Sequence, residues 1–259
     1  MPGYDKPSDF LKLPLDLDIV DQVKNLARDK NTGGVKWVIL VGIGGSSLGA
    51  AAVYEALASS RDSLSDKPAE LTVLDTVDPV DVAAVLNKLK NTGLTAEELT
   101  LVVVGKSGTT TETAANAAVV YQVLSEKFGP KAKERVIVVT DRQSPLWDLA
   151  VREEFAVLAI PTPIGGRFSV LSPAGLLPLC LCGFDIGALM AGAKTMAETL
   201  IEEAKYSAIF LHEQNKSGKN IHDLFFFAKD LEGVGKWYRQ LLAESLGKDG
   251  KGLTPTVSI

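Results

Sequence analysis

Five short runs dominated by Val, Ile and Leu restrict this chain more than any other feature: Trp37 to Val41, Leu71 to Leu74, Leu99 to Val104, Val136 to Thr140 and Phe155 to Ile160. Each has the length of a strand and is apolar without alternation, so both of its faces need covering. The segments between them, Leu48 to Ser59, Pro79 to Leu89, Glu112 to Lys127 and Pro145 to Val151, have helical character. Strand and helix therefore alternate. This predicts an α/β fold in three layers, α/β/α, with a doubly wound parallel sheet. Ligands of such sheets collect beyond the carboxyl ends of the strands, so the turns leaving the strands are where chemistry is sought.

After Pro161 the rhythm changes. A Gly-Gly-Arg turn and an apolar segment from Leu171 lead into a helical stretch from Gly187 to about Glu213. The polar run Glu213 to Asn220 reads as a loop, Ile221 to Phe227 as a strand and Leu231 to Leu246 as a helix. The expected division is a first unit over residues 1–170 and, over residues 171–259, connecting helices with the beginning of a second α/β unit.

The net charge of -5 offers no basic excess to neutralise a nucleic-acid backbone, so no nucleic-acid partner is expected and an anionic small molecule would have to be held by local groups. Residues Met1 to Leu15 lack the apolar core of a signal peptide, and a cytoplasmic location is expected. The stretch Val170 to Ala193 is interrupted by Pro173, Pro178, Gly183 and Asp185, which suits a buried helix and not a membrane span. Cys180 and Cys182 lie two apart in apolar sequence and read as packing residues, with neither disulfide nor zinc spacing.

Four motifs carry candidate chemistry. Gly42-Ile43-Gly44-Gly45-Ser46-Ser47 follows the first strand and enters a helix; glycines admit an anion to backbone amides, although a tight turn needs the same residues. It matches neither the dinucleotide fingerprint nor the P-loop. Lys106-Ser107-Gly108-Thr109-Thr110-Thr111 follows the third strand and gathers a lysine, hydroxyls and a helix start, a set suited to phosphate, part of which also serves helix capping. Gly165-Gly166-Arg167-Phe168-Ser169 presents a guanidinium after two glycines, either for developing negative charge or for a structural ion pair. Finally, Gln240 and Glu244 lie four apart on one helix face, where Glu244 by itself reads as a solvated residue.

Taken in order, GIGGSSLG, KSGTTTET, GGRFS and WYRQLLAESLGK resemble the successive motifs of the glucose-6-phosphate isomerase family, whose subunits contain two sugar isomerase (SIS) domains. The resemblance implies that Gly45, Ser46, Lys106, Ser107, Thr109 and Thr110 hold the phosphate of a sugar phosphate, with Gln240 nearby. It implies Arg167 as the stabiliser of an enediolate and Glu244 as the base that moves a proton between C2 and C1. No metal or cofactor is implied, and a homodimer is expected. Gly105 stands where the family usually has serine. The family also places a ring-opening histidine and a lysine later than this chain extends; His212 and His222 precede the Glu244 motif, so surface or loop positions are expected for them. The alternatives are a non-catalytic sugar-phosphate-binding module and a fragment that interacts with another polypeptide.

Overall fold

The computed structural model describes residues 3–61 and 67–259. At its centre is a parallel sheet of β1 (Trp37–Val41), β2 (Glu70–Leu74), β3 (Leu99–Val104), β4 (Val136–Thr140) and β5 (Ala156–Ala159), ordered β2-β1-β3-β4-β5. Successive side chains of a strand point to opposite faces. In β1 this sends Val38 and Leu40 into one core and Trp37, Ile39 and Val41 into the other. The first core is closed by α1 (Leu17–Lys30) and α2 (Leu48–Arg61), and the second by α3 (Pro79–Asn91), α4 (Thr111–Phe128) and α5 (Pro145–Arg152). Two buried faces explain why the strands read as unbroken apolar runs. Each fully buried Val, Leu or Ile contributes roughly 1.5–3 kcal/mol.

The helix starts are built from local chemistry. Asp78 accepts from the Val80 amide at 2.8 Å to cap α3, and Ser144 accepts from the Trp147 amide at 3.1 Å to cap α5. Beyond β5, Ser172 caps α6 (Pro173–Leu181) and Asp185 caps α7 (Ile186–Thr199), both of which add to the first core. The apolar stretch around residue 180 is thus a buried helix. Among the described residues no helix is long and apolar enough to cross a membrane. Burial pushes the Cys182 thiol up to about 12, which suits a packing residue.

Two expectations need correction. The helical stretch from Gly187 to Glu213 is two helices, α7 and α8 (Ile201–Lys216), separated at Leu200. The run Glu213 to Asn220 is a loop only at its end, because α8 continues through an ion pair between Glu213 and Lys216 and stops at Gly218, whose φ of +90° suits only glycine. Beyond it lies β6 (Ile221–Phe225), then α9 (Glu232–Leu246), then β7 (Thr254–Ser258), a strand the sequence reading did not anticipate. β6 and β7 form their own parallel pair.

Candidate active site

Chain order and strand order diverge at β1 and β3: from β1 the chain goes outward to β2, then returns to β3 on the other side. Crevices open at such a switch point, and the two hydroxyl-rich turns leave these two strands. Ser46, Lys106, Ser107 and Thr110 line one cleft of about 510 Å³. Asp141, Gln143 and Ser144, which follow β4, complete its wall. Those three were not singled out from sequence; their place just past an apolar strand was the available signal.

The second turn is held from below. Thr140 donates to the Gly105 carbonyl at 2.6 Å, and its hydroxyl lies 2.6 Å from that of Ser144. Gly108 adopts a φ of +67° and is packed so closely that a Cβ there would come within 2.6 Å of Leu146 Cβ. The Ser107 and Thr109 hydroxyls are hydrogen-bonded at 2.9 Å, both on exposed residues, while Thr109 does not line the cleft. Thr110 is the N-cap of α4, yet its side chain makes no capping hydrogen bond. Capping therefore does not account for these hydroxyls.

The first turn meets the Gly-Gly-Arg segment backbone to backbone. A Cβ on Gly45 would lie 2.2 Å from the Arg167 nitrogen, and Ser169 donates to the Gly166 carbonyl at 2.7 Å and the Gly45 carbonyl at 3.3 Å. Helix α9 is laid across α2 just beyond this turn, with Gly233 against Ala52 and the Trp237 indole donating to the Arg167 carbonyl at 3.2 Å. That placement carries Gln240 and Glu244 back over the turn, and a Cβ on Gly44 would come within 2.9 Å of the Gln240 amide nitrogen.

Arg167, Gln240 and Glu244 consequently form one cluster. Arg167 Nη1 lies 3.3 Å from Glu244 Oε2, Gln240 Nε2 donates to Glu244 Oε1 at 2.7 Å, and Arg167 Nε donates to Ser245 Oγ at 3.1 Å. The ion pair is partly open, with the Arg167 side chain 24% and the Glu244 side chain 47% exposed. Among the described residues Gln240 Oε1 is a buried acceptor with no partner. Buried acceptors of that kind call for a donor, and a ligand hydroxyl is one. His212 is exposed on α8, whereas His222 lies on β6, half-buried 5.7 Å from the Tyr238 ring and not on a loop; neither joins the cluster.

A doubly wound sheet with hydroxyl-bearing turns at its switch point, and an arginine and a carboxylate set beside them, defines an α/β protein of the sugar-isomerase (SIS) class. The fold is shared with the crystal structure of tagatose-6-phosphate ketose/aldose isomerase from Escherichia coli, at a TM-score of 0.50 and 15% identity over 98% of this chain and 64% of that one. Within that class the chain belongs to the phosphoglucose isomerase family, whose model matches residues 18–256. It is 37% identical over 259 residues to the glucose-6-phosphate isomerase of Rubrobacter xylanophilus, covering 96% of this chain and 59% of the relative. The crystal structure of a glucose-6-phosphate isomerase from Chlamydia trachomatis superposes with a TM-score of 0.72 at 25% identity, over 93% of this chain and 48% of that one. The chain spans about half to three fifths of the length of these relatives.

Proposed function

We propose that this chain carries the phosphate grip and the proton-transfer groups of an aldose–ketose isomerase that interconverts glucose 6-phosphate and fructose 6-phosphate. The phosphate sits against Ser46, Lys106, Ser107 and Thr110, with Thr109 supporting the Ser107 hydroxyl and the Gly45 backbone closing the turn. The far end of the sugar then reaches the Arg167, Gln240 and Glu244 cluster. Glu244 takes the C2 proton of the open-chain aldose, and the C2–H electron pair moves into a C1–C2 double bond as O1 gains negative charge. This is the cis-enediolate. The Arg167 guanidinium stabilises it. Return of the proton to C1 and transfer of the hydroxyl proton from O2 to O1 give the ketose. The reaction is redox-neutral, so the shuttle uses a carboxylate and needs neither cofactor nor metal.

The single observation that carries this reading is the meeting of Arg167 and Glu244, 77 positions apart in sequence, directly beside the first phosphate turn. Residues 1–170 act as the phosphate-binding unit, and residues 171–259 deliver α9 and begin the second. By family likeness the assembly is a cytoplasmic homodimer that binds no nucleic acid. The test is formation of glucose 6-phosphate from fructose 6-phosphate, with sugar-phosphate binding followed by calorimetry. Glu244→Gln is expected to lower the rate by about two to four orders of magnitude while binding persists. An unchanged rate in that variant removes Glu244 from the chemistry. Binding without turnover by the unsubstituted chain identifies a binding module instead.

A further inference from the structure

A guanidinium on a side chain with four rotatable bonds stabilises developing charge well only if it is already in place. Arg167 is held at Nε by Ser245 and at Nη1 by Glu244, but its flat face also needs a support. The Phe168 ring supplies it, with the guanidinium carbon 4.6 Å from the ring centroid. Phe168 is itself stacked on Phe10, with ring centroids 4.5 Å apart and planes 4° from parallel. The Phe168 ring thus touches both Phe10 and the Arg167 guanidinium, which leads on to the carboxylate of Glu244.

Phe10 comes from a 3-10 helical segment, Pro7–Leu15, that precedes the family-matched residues 18–256. The segment is firmly anchored. Leu13 is buried, and the buried Asp9 accepts from the amides of Asp5 at 2.8 Å and Lys6 at 3.2 Å. Tyr4 donates to Asp16 at 2.9 Å, tying the segment to the cap of α1. A ring mounted on such a base is a fixed platform, whereas a half-buried phenylalanine with one bare face is free to turn about its own side-chain bonds.

We infer that Phe10 is a positioning residue for Arg167, acting through the Phe168 ring, so that this N-terminal segment sets the orientation of the guanidinium in the active site. The role of Arg167 in catalysis rests on the function proposed above; the positioning itself does not.

The experiment follows the Arg167 Nε–H cross-peak in the full chain by heteronuclear NMR, the peak being assigned by its loss in Arg167→Lys. Phe10→Leu keeps an apolar side chain without the ring, and Phe10→Tyr restores the ring. In Phe10→Leu the Arg167 Nε–H is expected to exchange with solvent about three- to tenfold faster, the range given by the worth of one aromatic pair, with the wild-type rate recovered in Phe10→Tyr. Thermal melting verifies that both variants are folded. Glucose 6-phosphate titrated into each should move the Ser46 and Lys106 amides with unchanged midpoint, because Phe10 is not among the residues lining the cleft of Ser46 and Lys106. An Arg167 signal in folded Phe10→Leu identical to that of the unsubstituted chain overturns the inference. If the unsubstituted chain gives no response to glucose 6-phosphate, the functional reading fails, while the Arg167 signal still decides the role of Phe10.

Discussion

The two sheets of this molecule are finished to very different degrees. In β1, β3 and β4 every residue is buried, whereas β6 exposes Ile221 and Phe225 at 66% and 56%, with Phe227 just after it almost wholly bare. Helix α8 buries no residue and leaves Tyr206, Ile209 and Phe210 in solvent. The hydroxyl-rich turns grow from the first sheet and the Glu244 carboxylate from the helix beside the second. Site precision on the α9 side therefore rests on its seat against α2 and the Arg167 turn together with its packing on the second sheet, where Gly235 lies close against Val257.

Substitutions that separate the two regions test this contrast, and the first should have the largest effect. Leu101→Ala, in the middle of β3, is expected to cost about 2–5 kcal/mol in denaturant unfolding; a cost below 1 kcal/mol would break the comparison. Gly45→Ala comes next, because its methyl group must displace the backbone of Arg167. A loss of roughly 1–3 kcal/mol should come with weakened binding of sugar phosphate, measured by melting and calorimetry on the same sample. Lys106→Ala is expected to leave stability unchanged and weaken phosphate binding about tenfold, since a charged hydrogen bond is lost from a half-exposed position. Phe225→Ala should change unfolding by no more than about 0.5 kcal/mol, as its ring is mostly in water.

The smallest effect is a pH dependence. A hydrogen bond from Lys131 is the main reason the Glu97 carboxyl falls to about 2, against an ordinary value of 4.5. Because the folded-state value is the lower one, Glu97 adds stability above pH 4.5 and loses it as pH falls toward 2. Lys131→Met should flatten that acid limb in unfolding curves recorded across the interval, and an identical limb in both proteins would show that the pair has no such role.

The first sheet was legible because strands buried on both faces are written almost entirely in apolar residues, Thr100 and Thr140 being buried exceptions in β3 and β4. β5 proved shorter than its apolar run, since Phe155 and Ile160 lie just outside the ladder. α1 went unread although Ile19, Val20, Val23 and Ala27 repeat at helical spacing, a pattern diluted by the charged residues around it. β7 was hidden by Pro255 in a five-residue strand, a residue tolerated there because this pair has only edges. No glycine or proline marks the break at Leu200. In the site, each motif could be read in isolation, but not the approach of Gly45 to Arg167 or the stacking on Phe10. Those depend on how α9 and the N-terminal segment dock, which no local pattern encodes.

The missing side-chain cap at Thr110 has a thermodynamic consequence. A phosphate seated before α4 would itself finish the helix, supplying the oxygens that a capping residue normally provides. Substrate then becomes a piece of secondary structure. Its arrival should slow hydrogen exchange in the first turn of α4 and raise the melting temperature in step with concentration.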